Sequence, residues 1–313
     1  MSAGLGIFLQ LSGCVLTSGG YILQKKAHLV ESPKPYYLRL PWLCGFLCLC
    51  VAAGLNLWSY SMLPQVALAS FGAATLVFNL LFSRAVLGEP LTRLDGVATL
   101  IVGAGTVTAL SAVGSSPPPT LGDLVARLSA PSAVAYLATA LGGGAAAAVL
   151  VERAAARGGA PGPLLLTASP LLGGVAHSLV AFSAKGVSAA LFGGGAAAAL
   201  AGGAFWAFLL AVAAALGAQL RYLNVGLAVG GATVIVPIFQ SSVIIATAVA
   251  GVCLSGDMVG EPAAQQTQFA AGLLAIVGGV ASLAWKKGGA EKLAAGRGPE
   301  ADLLPLVAGG EGA

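Results

Sequence analysis

The chain has 313 residues, of which 58% are hydrophobic and only 8% are charged, with a formal net charge of +4 and a mean hydropathy of +0.92. A soluble domain carries roughly 25% charged residues, so this composition excludes a water-covered globular surface and predicts an all-α polytopic membrane protein. The basic residues lie in loops and near the C-terminal end, so the expected partner is the lipid bilayer and not a nucleic acid.

Nine apolar runs have about the 20 residues that a helix needs to cross a bilayer. They cover residues 4–24, 42–60, 65–84, 94–113, 131–151, 163–183, 203–220, 225–254 and 266–285. The first run has no basic segment before it and leads directly into Lys25 and Lys26, which is typical of a first membrane helix and not of a cleaved signal peptide. A further Gly-rich stretch, 186–203, is apolar enough to raise the question of a tenth helix.

The distribution of basic residues decides between nine and ten helices, because Lys and Arg collect in cytoplasmic loops. With nine helices, all of the 15 basic residues except Arg127 and Lys185 fall on one side of the membrane. A tenth helix would move Arg221 and the tail to the other side and nearly balance the two sides. We therefore predict nine helices, an extracytosolic N-terminus and a cytosolic C-terminus, with 186–203 as a connecting or re-entrant segment. The sequence leaves open whether the membrane is the plasma, endosomal or endoplasmic reticulum membrane.

Two Gly-Glu-Pro triplets, at residues 88–90 and 260–262, mark equivalent points of an internal repeat. The order of similar segments around them matches helices one to four with helices six to nine. Because helix five stands between the halves, equivalent points fall on opposite faces of the membrane, which places Glu89 on the cytoplasmic side and Glu261 outside. An inverted repeat of this kind is the architecture of many secondary transporters. The triplets themselves read as helix starts, with the glutamate near the positive end of the helix dipole.

The repeat also defines the expected domain organisation. The first membrane repeat covers residues 1–113, and an external linker with helix five covers 114–162, which contains the proline-rich stretch "GSSPPPTLGD". The second, inverted repeat covers 163–287. The remaining residues, 288–313, are small and polar, and we expect them to form a disordered cytoplasmic tail.

No Asp or Glu lies deep in a predicted span, so we expect no metal site with fixed ligands. A hydrated Mg²⁺ can still be held through its water shell by amide and carbonyl oxygens. The polar residues at depth are therefore the candidates for a substrate path: Asn56, Gln65, His177, Gln219, Tyr222, Asn224 and Gln240. Each of them could instead join neighbouring helices by hydrogen bonds.

Two prolines are candidates for helix breaks that expose carbonyls to a cavity: Pro64 opens helix three, and Pro237 kinks helix eight. The segment Arg221 to Asn224 is a further expected break, between helices seven and eight. Lys185 lies near the expected outer end of helix six, where a long basic side chain is expected to extend toward water.

Four segments carry a resemblance to a known family: "YILQKKAHL", "LNLWSYSMLPQVAL", "LGEPLTRLDGVATLIVGAGTV" and "QLRYLNVGLAVGGATVIVPI". Together they resemble NIPA-like magnesium transporters of the drug/metabolite transporter superfamily, over about residues 5–287. The resemblance implies nine helices, an external N-terminus and transport of Mg²⁺ without ATP. Many relatives carry a glutamate where this chain has Ala53, and Thr-Pro where it has Ala69-Ser70, so the chain is expected to be a divergent member.

Three functions stay open from the residues. The first is transport of Mg²⁺ or another divalent cation, by alternating access or along a channel-like path. The second is transport of an organic anion or metabolite, which Arg221, Lys185 and His177 would meet. The third is a non-transporting membrane scaffold. An enzyme is not expected, because there is no nucleophile motif, ligand cluster or soluble domain for cofactor chemistry. We expect no cofactor, with Mg²⁺ as the transported ion, and the oligomeric state, a homo-oligomer included, stays open.

Overall fold

The computed structural model describes residues 3–29, 38–88, 93–113, 119–156, 163–229 and 232–296, and within these ranges the regular structure is helical. Two short segments are π-helices: π1 (Ala138–Gly143) and π2 (Gly251–Ser255). The α-helices are α1 (Ala3–Leu29), α2 (Leu40–Tyr60), α3 (Gln65–Leu87), α4 (Arg93–Ala112), α5 (Leu121–Arg127), α6 (Pro131–Leu137), α7 (Gly144–Ala156), α8 (Pro163–Gly193), α9 (Ala196–Ala201), α10 (Gly203–Val229), α11 (Ala232–Ala250) and α12 (Ala263–Gly296).

Eight helical segments within the described ranges are long and apolar enough to cross a membrane, which confirms a polytopic all-α membrane protein. Each of them overlaps one of the first eight predicted spans: Ala3–Gln24, Leu40–Tyr60, Gln65–Leu87, Arg93–Ala112, Pro131–Ala156, Leu165–Gly193, Gly203–Gly226 and Ile238–Ser255. The predicted ninth span, 266–285, lies inside α12, which opens with several glutamines and is not among the eight. α12 continues to Gly296, so the predicted tail 288–313 begins inside a helix; residues 297–313 lie outside the described ranges.

The predicted end of helix six at residue 183 is wrong, because α8 continues to Gly193. The expected connecting segment 186–203 therefore begins inside a helix, and the connection to α10 is made by the short helix α9. The extra turns are stabilised by burial: Val187 and Ala190 belong to a hydrophobic cluster with Phe208 of α10. A run of Gly and Ala has too weak a hydropathy signal for this end of the helix to be read from composition.

The predicted break between helices seven and eight, at Arg221 to Asn224, is also wrong. α10 runs through these residues and ends at Val229. Polar residues suggest a break, but Arg221 remains helical and its side chain pairs with Glu152 of α7. Pro237 lies within α11, which extends from Ala232 to Ala250, and the kink expected at this residue stays a prediction.

The helices pair in the same order in the two halves of the chain. α1 packs on α2, and α8 packs on α10, which are the equivalent helices of the predicted repeat. The two halves are joined mainly where α4 packs on α12 and where α11 packs on α3. This pairing is the one that a repeat of helices one to four in helices six to nine predicts, and the opposed orientation of the halves stays a prediction.

Small residues allow the closest of these helix contacts. A Cβ added at Gly45 of α2 would lie 2.6 Å from the carbonyl oxygen of Gly20 in α1. A Cβ added at Gly105 of α4 would lie 2.8 Å from the carbonyl oxygen of Gly272 in α12. Both contacts are backbone against backbone, so larger side chains at these positions would push the helices apart.

The glycines of the two Gly-Glu-Pro triplets both adopt left-handed backbone conformations. Gly88 has φ 71° and caps the C-terminus of α3, with its N–H donating to the carbonyl of Ser83. Gly260 has φ 86° and lies in the turn before α12. The carbonyl of Pro262 accepts the first hydrogen bonds of α12, directly after the half-buried Glu261. Glu89 lies outside the described residues.

Candidate functional site

A buried glutamine at the start of α3 connects the two halves of the protein. Pro64 forms the N-cap of this helix, and Gln65, the first helical residue, is completely buried. The amide nitrogen of Gln65 lies 3.5 Å from the carbonyl oxygen of Ser178 in α8. Its amide oxygen accepts a hydrogen bond of 2.8 Å from the hydroxyl of Ser255 at the end of π2. Both hydrogen-bonding ends of this side chain are therefore used, and both partners belong to the second half of the chain.

The fifth membrane segment, Pro131–Ala156, extends this network. The Tyr136 hydroxyl of α6 lies 2.6 Å from the hydroxyl of Ser178, and it lies 3.4 Å from the carbonyl oxygen of Ala246 in α11. Ser178 in turn donates to the carbonyl of Val175 within its own helix. We refer to Gln65, Tyr136, Ser178 and Ser255 as the Gln65 cluster. It provides amide, hydroxyl and carbonyl oxygens at the junction of α3, α6, α8 and π2.

A buried ammonium group lies beside the Gln65 cluster. Lys185 of α8 is only 1% exposed, and its Nζ donates a hydrogen bond of 2.9 Å to the carbonyl oxygen of Leu63, in the turn between α2 and α3. The expectation that Lys185 extends toward water is therefore wrong. The physical reason is the added length of α8, which places Lys185 two turns before the end of the helix, against the first half of the chain.

An acidic residue reaches the same turn from the other half. The Oδ2 of Asp257 accepts a hydrogen bond of 3.0 Å from the backbone N–H of Val66, in the first turn of α3. A carboxylate is stabilised there, because the N-terminus of a helix carries unpaired N–H groups and the positive end of the dipole. Asp257 is not among the predicted path residues, because it follows the eighth apolar run.

The backbone after π2 explains how Asp257 returns to the protein interior. Gly256 has φ 72° and Met258 has φ 63°, so the chain turns sharply on both sides of the aspartate. The Met258 side chain is buried in a cluster with Phe269. The guanidinium of Arg127, at the end of α5, packs directly against Gly256, where an added Cβ would overlap it. These contacts fix the segment that carries Asp257 between α3 and α5.

A cavity of about 510 Å³ opens beside the turn between α2 and α3. Its walls include Ser61 and Met62 of this turn, Ala189 of α8, and Thr120 before α5. Thr120 forms a capping box with Asp123: its hydroxyl and its backbone N–H bond to the Asp123 carboxylate, and this holds the pKa of Asp123 below its usual value.

Two of the predicted path residues meet at the contact of α8 with α10. The Nδ1 of His177 lies 3.1 Å from the Oε1 of Gln219, and both side chains are half-buried. Asn56 lies instead at the contact of α2 with α1, where its Oδ1 is buried without a hydrogen-bond partner and packs against Gly13. Gln240 of α11 is half-buried, and its amide packs against Gly72 of α3.

The residues near the C-terminal end of α10 lie outside the Gln65 cluster. Arg221 is exposed and forms a two-pronged ion pair with Glu152, through Nε–Oε1 of 3.0 Å and Nη2–Oε2 of 2.7 Å. Asn224 is exposed and Tyr222 is half-buried on the same helix. The structure therefore does not bring these two residues together with the Gln65 cluster.

Among the described residues, no group of three or more His, Cys, Asp or Glu side chains is arranged to hold a metal ion. The oxygen atoms near the Gln65 cluster come mainly from amides, hydroxyls and backbone carbonyls, with the single carboxylate of Asp257 beside them. Such a set of neutral oxygens suits an ion that keeps part of its water shell.

Comparison with curated proteins and with solved structures gives no match. The profile of a family described as magnesium transporter NIPA matches residues 1–288, which is nearly the whole length of the chain and includes every described membrane segment. Members of this family are membrane cation transporters and not enzymes. The chain belongs to the NIPA magnesium transporter family.

Proposed function

We propose that the protein transports Mg²⁺ along a polar path between two inverted repeats. The observation that carries this proposal is the position of Gln65, a fully buried amide in the first half whose two ends bond to Ser178 and Ser255 in the second half. In secondary transporters with inverted repeats, substrates bind at the interface of the halves. Mg²⁺ loses its water reluctantly and favours oxygen ligands, which the Gln65 cluster offers.

The state of the basic residues favours a cation over an organic anion. Arg221, which would meet an anion, is paired with Glu152 at the protein surface. Lys185 is buried and donates to the Leu63 carbonyl, so its ammonium already has a hydrogen-bond partner. His177 bonds to Gln219. Each of the three side chains is therefore already bonded within the protein.

The contacts between the halves support alternating access. Gln65, Lys185 and Asp257 all act where α2 ends and α3 begins. Under the topology that we propose, with an extracytosolic N-terminus, this turn lies at the outer side, and this conformation is closed there. Opening the outer side requires these contacts to break, while α1 with α2 and α8 with α10 move as pairs. Gln219, Asn56 and Gln240 are the further residues that we propose for the path.

The test is uptake of Mg²⁺ by sealed proteoliposomes that contain a Mg²⁺-sensitive dye. We expect the wild type to take up Mg²⁺ and the rate of uptake to fall about tenfold or more in Gln65→Ala. Each factor of ten corresponds to an increase of about 1.4 kcal/mol in the activation free energy of transport. Gln268→Ala is the matched control, because Gln268 is an exposed amide on α12. Melting curves in detergent establish that each variant is folded. Absence of uptake by folded wild type would refute Mg²⁺ as the substrate. Unchanged uptake by Gln65→Ala would refute a transport path through Gln65.

A further inference from the structure

A second cavity, of about 440 Å³, lies between the fifth membrane segment and the helices α8 and α11. Its walls belong to three membrane segments, Pro131–Ala156, Leu165–Gly193 and Ile238–Ser255. Two of its lining residues, Gly143 and Gly144, stand at the middle of the fifth segment. The cavity is therefore at the depth of the hydrocarbon core, where the surrounding medium is lipid and not water.

The shape of the fifth segment explains this cavity. Its two ends pack on the rest of the protein, α6 on π2 and α7 on α8, and π1 forms the stretch between them. The lining residues in and after π1 are glycines and alanines, and a Cβ added at Gly143 or Gly144 would meet nothing within 4 Å. All of the lining residues are half-buried or exposed, so the cavity is open toward the lipid.

The walls offer an occupant almost no polar contacts. Among the lining residues only Tyr136 and Thr139 have polar side chains, and the others are Ala, Gly, Leu and Val. The Tyr136 hydroxyl lies 2.6 Å from the hydroxyl of Ser178, and the Thr139 hydroxyl lies 2.9 Å from the carbonyl oxygen of Ala135. Both hydroxyls therefore have partners within the protein. The side chains that remain favour a ligand that packs by van der Waals contact alone.

We propose that this cavity binds one hydrocarbon chain of a membrane phospholipid. Its volume is within the range of about 300–1,000 Å³ that is typical of pockets for small ligands. An empty cavity forfeits dispersion contacts, which a flexible chain from the surrounding bilayer restores. Such a chain has no polar group to pair, and these walls present no unpaired side-chain hydroxyl. The proposal goes beyond transport and does not depend on which substrate is carried.

The occupied cavity would lie directly beside the Gln65 cluster. Tyr136 belongs both to the cavity wall and to the cluster. Val175 and Ala246 line the same cavity, and their carbonyl oxygens accept hydrogen bonds from Ser178 and Tyr136, respectively. The bound chain is therefore separated from the polar cluster by the side chain of Tyr136 and the backbone of α8 and α11.

The test uses proteoliposomes of a phosphatidylcholine that carries a photoreactive diazirine at the middle of one acyl chain. The full-length protein is irradiated, and labelled residues are identified by mass spectrometry. Leu172 lines the cavity, whereas Leu216 is an exposed residue near the middle of the segment Gly203–Gly226. We expect about tenfold more label on Leu172 than on Leu216, although Leu172 is only half-buried, because a bound chain stays beside it.

Gly144→Leu should fill the cavity and reduce the label on Leu172 to the level on Leu216. Gly142→Leu is the matched control, because a Cβ at this neighbouring residue also meets nothing within 4 Å but Gly142 does not line the cavity. It should leave the label on Leu172 unchanged. If Gly144→Leu does not fold, Ala147→Leu at a lining position is compared with Ala146→Leu at an exposed position outside the lining.

Equal labelling of Leu172 and Leu216 in the wild type would mean annular lipid only and would overturn the inference. A label on Leu172 that survives filling of the cavity would overturn it too. The same holds for a label on Leu172 that appears only with a photoreactive sterol, since the occupant would then not be a phospholipid chain. Labelling requires no transport, so absence of Mg²⁺ uptake refutes the proposed function alone.

Discussion

The imidazole Nδ1 of His177 and the amide oxygen of Gln219 lie 3.1 Å apart across the contact of α8 with α10. An amide oxygen only accepts, so in this contact Nδ1 is the donor. This pair joins two helices of the second half, and it resembles the position of Asn56 between α1 and α2 in the first half. The two positions differ in their bonding, since the Oδ1 of Asn56 is buried without a hydrogen-bond partner.

Gln219→Leu should destabilise the protein, because it leaves the half-buried His177 ring without its acceptor. Loss of one partner of such a bond costs about 1–3 kcal/mol. Thermal unfolding in detergent measures the effect. Asn224→Leu serves as the control on the same helix, since Asn224 is exposed and the change should leave the melting temperature nearly unaltered. Equal destabilisation by both variants would contradict the role of the hydrogen bond.

Asn56→Leu should separate stability from transport. Because the Oδ1 of Asn56 is buried without a partner, removing it should leave the free energy of unfolding unchanged or raise it. Uptake of Mg²⁺ should nevertheless fall about tenfold if Asn56 contributes to the path. Gly54→Ala on the same helix is the control, since an added Cβ there meets nothing within 4 Å. Normal uptake by a stable Asn56→Leu protein would remove this residue from the path.

Gly105→Ala should weaken the contact between α4 and α12. The new methyl group would lie 2.8 Å from the carbonyl of Gly272 and 2.9 Å from the nitrogen of Ile276, both backbone atoms that cannot rotate away. Overpacking of this kind costs about 1–3 kcal/mol. Gly103→Ala has open space around it and should be neutral or slightly stabilising. The comparison of the two melting temperatures is the measurement, and no difference between them would show that the helices separate without cost.

Arg221→Gln and Glu152→Gln should have little effect. The side chains are 61% and 39% exposed, and exposed ion pairs contribute about 0–1 kcal/mol. We expect the free energy of unfolding of each variant to change by no more than this amount, and we expect both variants to take up Mg²⁺ normally. A large loss of uptake in Arg221→Gln alone, with Glu152→Gln unaffected, would show that the guanidinium acts on the substrate. It would favour an organic anion as the transported substrate.

The sequence located the helices well and their interior contacts poorly. Apolar runs predicted the first eight spans, because the bilayer requires a fixed length of apolar helix. The end of α8 was missed because it depends on a distant contact: Val187 is buried in one cluster with Phe208, which no local window shows. The continuity of α10 was missed because polar residues in an apolar run suggest a break, whereas Arg221 remains helical and pairs with Glu152 at the surface.

The same limit applies to the candidate site. Gln65, His177 and Gln219 were identified because a polar residue in an apolar run stands out. Asp257 was not, because it follows the apolar run and reaches the interior only through a turn with two positive φ angles, one of them at Met258. A glycine followed closely by an acid, directly after a membrane span, was the one signal available. Lys185 was seen but placed at the surface, since the length of its helix was underestimated.

The π-helical turn π2 has a consequence for the positions of Ser255 and Asp257. A π-turn contains one residue more than the α-turn that it replaces. Each residue of a helix advances the chain by about 100° around the axis. Ser255 closes π2 and bonds to Gln65, and Asp257 follows two residues later. Deleting one residue from π2 would therefore present a different side chain to Gln65 and would change how the carboxylate approaches α3.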